Sequence, residues 1–172
     1  MAEKPSPRPA QYGIYKGING KSGCLQFSLL PYNWEKAASD NPSERKEAKG
    51  GVLVQARNAT GPNQYDNENQ VKFMLSVVDL SAFLYGVTNQ EGEASDGDIL
   101  VSLFHKYGEA SKKLAVKAGR LDKDGRPTYM CGLFEKSADG KVTRNVTVPI
   151  SVTEMLTLVT LFRRALPAIL GW

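Results

Sequence analysis

The chain has 172 residues, 41% hydrophobic and 23% charged, with a net charge of +4 and a pI near 9.0. That length and mix support one domain with a real hydrophobic core, and no apolar run approaches the ~20 residues that a membrane-spanning helix needs. Cys24 and Cys131 are far apart and His105 is the single histidine, so the usual zinc spacings are missing; two buried free thiols and no metal or other cofactor are expected.

The opening "MAEKPSPRPA" carries three prolines and no apolar stretch of the kind a secretory signal needs. Residues 1–10 are therefore expected to be a disordered arm and residues 11–172 a single domain. The expected address is intracellular, cytoplasmic or nucleoid-associated, or organellar if a transit peptide has been removed. From Gln11, "QYGIYKGIN" reads as a strand and "NGKSG" as a hairpin turn, because Asn-Gly tolerates positive φ. A phosphate-binding loop would need a glycine where Tyr15 stands and a helix after the serine. Here "CLQFSLLPYNW" follows, a strand with Leu25, Phe27 and Leu29 on one face and Cys24, Gln26 and Ser28 on the other. Residues 35–50 are almost purely charged and small and read as a solvated loop with at most a short helical turn. "GVLVQAR" and "QVKFMLSV" are two more strands; "LSVVDLSAFLYGV" then changes period, placing Val77, Leu80, Phe83, Leu84 and Val87 at helical spacing.

The second half repeats that order. Four strand-like segments, "ILVSLFHKYG", "SKKLAVKAGRL", "PTYMCGLFEK" and "KVTRNVTVPI", precede "SVTEMLTLVTLFRRALPAILGW". In this last stretch Met155, Leu158, Val159, Phe162, Leu166 and Ile169 form one apolar stripe. Each helix opens on a similar phrase, "LSVVDL" and "ISVTEM", in which Ser151 with Glu154 makes a capping box and Ser76 with Asp79 a weaker version of it. Two pseudo-repeat halves, 11–90 and 98–172, follow. Strands in runs with helices only at the half-ends exclude a parallel βαβ sheet. The expected class is α+β, with two packed four-stranded antiparallel sheets, each half closed by a helix.

No carboxylate pair and no nucleophile with a partner emerges from the pattern, so a non-enzyme is expected. The polar strand faces collect Gln26 and Ser28, Gln55 and Arg57, Gln70 and Lys72, Lys113 and Lys117, and Asn145 and Thr147. Tyrosines and Trp34 are spread among them. Cations that neutralise phosphates beside aromatics that stack bases suit single-stranded nucleic acid; the same pattern also fits an ordinary solvated face.

Two blocks resemble the Whirly family of plant-type single-stranded DNA-binding proteins. One is "GGVLVQARNATGPNQYDNENQVKFMLSV", with its "QYD"; the other is "VPISVTEMLTLVTLFRRALPAILGW", with its "ALPxxxGW" ending. The resemblance covers about Tyr15 to Trp172. It implies a tetramer assembled through the helices, with sheets facing outward and single-stranded DNA bound with little sequence preference, in replication, recombination or repair. The chain departs from the family's "KGKAALSVEP" at the second strand, where Ser22 and Cys24 replace two lysines. On this basis Lys16, Lys21, Arg57, Lys72 and Lys117 are expected to hold phosphates. Gln26, Ser28 and Asn145 would bond base edges, and Tyr32 and Trp34 would stack. Met155, Leu158, Phe162, Leu166 and Trp172 would join subunits, with the chain bending at Pro167 to do so. An RNA-binding or annealing protein of the same fold and a promoter-binding regulator are the alternatives.

Overall fold

A computed structural model describes residues 10–16, 22–89, 94–141 and 143–172. Lys21 and residues 1–9 of the expected arm lie outside that set. The first half holds strands β1 (Gln11–Tyr15), β2 (Gly23–Leu30), β3 (Gly51–Gly61), β4 (Gln64–Tyr65) and β5 (Val71–Leu75), then helix α3 (Val77–Thr88). Two short helices, α1 (Trp34–Ala37) and α2 (Pro42–Glu47), occupy the segment expected as a loop. Asn33 and Asn41 cap them, accepting from the Lys36 and Ser43 amides, and Pro42 stands at the first helical position, where its missing N–H does no harm. The second half holds β6 (Ile99–Tyr107), β7 (Ala110–Ala118), β8 (Thr128–Lys136) and β9 (Thr143–Ser151), then α4 (Val152–Leu170).

All pairings are antiparallel. One sheet runs β1-β2-β3-β5, with the two-residue β4 appended to the end of β3; the other runs β6-β7-β8-β9. Strand alternation sends Ile14, Leu25, Phe27, Val54 and Phe73 inward from the first sheet, and Val101, Leu103, Leu114, Val116, Leu133 and Val148 inward from the second. These meet the helices in a single core. Phe162 of α4 is its hinge-pin, edge-on to Phe27 of β2 at 5.7 Å and to Phe83 of α3 at 5.0 Å.

Both capping boxes are formed. The Ser76 amide donates to Asp79 at 2.9 Å and the Asp79 amide to the Ser76 hydroxyl at 3.3 Å. Ser151 and Glu154 repeat this at 2.9 and 3.3 Å. Each capping acid also takes a basic group from the opposite half: Lys16 Nζ lies 2.9 Å from Glu154, and His105 Nε2 lies 3.2 Å from both Asp79 oxygens. The repeated phrases thus mark two reciprocal ties between the halves. His105 also stacks on Phe73 at 4.3 Å. Because an ionised carboxylate only accepts, Nε2 carries the proton, leaving Nδ1 to accept from the Tyr107 hydroxyl at 3.3 Å.

Helix α4 differs from expectation in two ways. It runs through Pro167 without a break to Leu170 and ends at Gly171, whose φ of 78° is the left-handed cap that glycine adopts without strain. Pro167 offers no N–H to the Arg163 carbonyl, a loss near the helix end where carbonyls reach other partners: the Tyr32 amide donates to Ala168 O at 2.9 Å. Second, Met155, Leu158 and Phe162 are at most 3% exposed within the protomer, so they build its core and cannot also join subunits. Leu166 packs against that core; Trp172, at 89%, remains exposed.

Candidate nucleic-acid interface

Inward packing of the apolar positions leaves each sheet with an outer face. On the first sheet the register sets Gly13, Gln26, Gln55 and Lys72 in one row, and Tyr15, Cys24 and Arg57 in the next. Gln26 and Gln55 are half-buried and Lys72 is exposed, while Gln55 donates to Gln70 at 2.8 Å, so this face is an amide ladder with a cation at its edge. Tyr15 folds back over Gly13, where a Cβ would collide with its ring; glycine here is room for an aromatic. Tyr15 also stands 5.7 Å from Tyr65.

Several expected contacts are corrected by their placement. Ser28, flanked by the longer Gln11 and Leu53, is only 4% exposed and is too deep to reach a base edge. Lys16 is held by Glu154 rather than standing free for a phosphate. Tyr32 and Trp34, by contrast, meet edge to face at 4.8 Å at the Leu30 end of β2, beside Gly171 at the close of α4, with Trp34 exposed. Cys24, at one of the two departures from the family's lysines, is fully buried. Burial pushes its thiol up against the opposing pull of the Arg57 guanidinium beside it. The cation absent from position 24 therefore sits one strand over, at Arg57.

The second sheet carries a row of which the sequence reading named Lys113 and Asn145 but missed the two rings. Phe104, Lys113, Phe134 and Asn145 are successive cross-strand partners on its outer face. Phe104 is 62% exposed, and Lys113 and Phe134 are half-buried beside it. The Phe134 ring leans over Gly132, where an added Cβ would lie 2.8 Å from it. Lys117 is exposed four residues along β7, between Ile99 and Met130. The signal for Phe104 was present: it alternates in phase with Ser102 and Lys106, against Val101 and Leu103. On the inner side of the same strands, Glu135 lies 3.0 Å from Lys112 and 3.4 Å from Arg144, so one carboxylate is shared between those two cations. Lys72, Lys113 and Lys117 have no ion pair among the described residues.

A hollow of about 250 Å³ lies on the opposite side, between α4 and the β1–β2 end of the first sheet. Tyr12, Phe27, Leu29, Val52, Leu161 and Ala165 make it apolar, and it brings together no nucleophile with a base. Cys131 is equally inert, its thiol pushed up to about 12 by complete burial.

Residues 14–161 match the family model described as Whirly transcription factor. The chain belongs to the Whirly family. It is 28% identical over 172 residues to the Single-stranded DNA-binding protein WHY2, mitochondrial, of Arabidopsis thaliana, covering 99% of this chain and 67% of that one. Its fold is similar to crystal structures of Arabidopsis thaliana WHY3 (TM-score 0.70, 24% identity, 97% and 92% of the two chains) and WHY1 (0.71, 21%, 98% and 89%). A guide-RNA-binding protein complex bound to guide RNA shares the fold more distantly (0.54, 13%, 95% and 94%).

Proposed function

We propose that this Whirly protein binds single-stranded DNA with little sequence preference and performs no chemical step on it. The row Phe104–Lys113–Phe134–Asn145 carries the reading: two outward rings flank a cation, with an amide at the edge. Unpaired bases can stack on both rings, and every base offers a π-face, so such a platform is tolerant of sequence. The name of its relative WHY2 supports the same substrate. Self-association is part of the proposal. With Met155, Leu158 and Phe162 buried inside the protomer, the apolar residues left outside on the helices are Val78 and Tyr85 of α3 and Leu156, Leu161 and Leu170 of α4, beside Trp172. Exposed apolar residues of that kind on two helices are suited to a neighbouring copy, and a homotetramer is expected.

Fluorescence anisotropy with matched single-stranded DNA, double-stranded DNA and RNA tests the substrate. Single-stranded DNA is expected to bind tightest, weakening as salt rises because bound phosphates release counterions. Phe104→Ala and Phe134→Ala should each weaken binding roughly 5- to 150-fold, the range of ~1–3 kcal/mol per stacked base. RNA bound tenfold tighter than DNA would move the substrate to RNA, and one strongly preferred sequence would favour a promoter regulator.

A further inference from the structure

Tyr107, His105 and Asp79 form a hydrogen-bonded chain outside the row of rings and cations on the second sheet. It begins with strand alternation. His105 falls on the inner side of β6, where its ring lies on Phe73 of β5 with the centres 4.3 Å apart. That stacking fixes the plane of the imidazole. Asp79, at the start of α3, fixes its tautomer, with both carboxylate oxygens 3.2 Å from Nε2. Nδ1 is left as the basic nitrogen, and the Tyr107 hydroxyl, two residues along the strand, meets it at 3.3 Å.

The order is hydroxyl, imidazole, carboxylate: a nucleophile within reach of a base that a third group orients. The phenol is open to solvent and the base is not. Tyr107 is 56% exposed, whereas the His105 side chain is 24% exposed. The next residue, Gly108, turns the β6–β7 hairpin at a φ of 61°, with no atom within 4 Å of the place a Cβ would take. A reagent can therefore approach the hydroxyl without displacing any part of the fold.

We propose that Tyr107 is an acyl-accepting residue, modified by small activated acyl donors, with His105 as its general base and Asp79 as the positioning residue. The phenolic oxygen forms a bond to the acyl carbon, and the bond from that carbon to its leaving group breaks. The phenolic proton passes to His105 Nδ1 and from there to the departing group, leaving an aryl ester on Tyr107. The surroundings favour acyl over phosphoryl transfer, which calls for cations clamped on the phosphate oxygens. Lys112, the cross-strand partner of His105, is held by Glu135 of β8 at 3.0 Å, and Lys106 belongs to the other face of β6.

The chain carries its own control. Tyr15 is also 56% exposed but has no base on its hydroxyl among the described residues, so accessibility alone predicts equal labelling. The experiment treats the full chain, free of nucleic acid, with limiting N-acetylimidazole and follows O-acetylation of each tyrosine by peptide mass spectrometry. Tyr107 should react at least about tenfold faster than Tyr15, a modest share of the roughly 100- to 10,000-fold that a positioned base contributes. The ratio should fall toward one in acid, because an imidazolium has no lone pair to accept the proton. The charged groups around that ring are Asp79 of α3 and the Lys112–Glu135 pair of β7 and β8. His105→Gln, with folding confirmed by a thermal melt, should bring Tyr107 down to the Tyr15 rate, and Tyr107→Phe should remove the fast-reacting site. Equal rates for Tyr107 and Tyr15 in the unaltered protein would overturn the proposal without any variant. So would a ratio that ignores pH, or fast labelling that survives in folded His105→Gln. Single-stranded DNA binding is a separate property and stands or falls independently of these outcomes.

Discussion

At the scale of single residues, Asp79 and Glu154 do two tasks at once, and their titration exposes it. Burial pushes the Asp79 carboxyl up, but the Ser76 hydroxyl and amide together with His105 outweigh it and hold it below its ordinary value. Glu154 is held down in the same way, burial being outweighed by Lys16 and by the Ser151 amide and hydroxyl. Carboxyls depressed in the folded state contribute stability above their unfolded values, near 3.8 and 4.5, and lose it as pH falls through the folded values. Urea unfolding between about pH 6 and 3 should therefore show stability falling below about pH 4.5. The double variant Asp79→Asn, Glu154→Gln should be less stable at neutral pH and show a flatter acid limb. Asp66, Asp122 and Asp139, also held down by loop hydrogen bonds, act in the same direction, so the difference between the two proteins is the decisive quantity. Ser151→Ala, which removes one cap, should cost about 1 kcal/mol.

At the scale of elements, α4 is the piece that joins everything else. Phe162 touches a ring from β2 and a ring from α3, so Phe162→Ala should cost about 3–5 kcal/mol in chemical denaturation, the range for a large buried ring. On the second sheet, Gly132→Ala offers a gentler probe. Its Cβ would displace the Phe134 ring without deleting it. Oligonucleotide affinity should fall less than in Phe134→Ala, with the melting temperature moving little. An unchanged affinity would mean that the exact seat of that ring is unimportant.

At the scale of the whole molecule, the helices and the outer sheet faces divide the work. The rings and free lysines lie on the sheets, whereas Val78, Tyr85, Leu156 and Leu161 lie on the helices. Leu156→Glu with Tyr85→Glu should lower the solution mass measured by light scattering, because a charge in an apolar contact is strongly disfavoured. Binding of a short strand should survive in that dissociated form, since its row is complete within one chain.

What the sequence by itself determined was the periodicity and the punctuation. Alternating strands, two helices at the half-ends and two capping boxes are local properties, written within a few residues of one another, and all of them stand in the structure. Local pattern also placed Gln26, Arg57, Lys72, Lys117 and Asn145 on outer faces, because strand alternation has a fixed period of two. It could not decide depth or partnership, which depend on residues distant in the chain. Ser28 shares the phase of Gln26 yet is buried by its cross-strand neighbours. Lys16 looks like a phosphate ligand until α4 brings Glu154 to it from the other half. The apolar stripe of α4 could equally have served a core or a neighbouring subunit, and only packing against both sheets assigned Met155, Leu158 and Phe162 to the core. The opening phrases of the two helices show the division most clearly. Sequence spacing determined the serine–acid caps, while the tertiary structure alone decided that each acid would also hold a basic side chain from the opposite half.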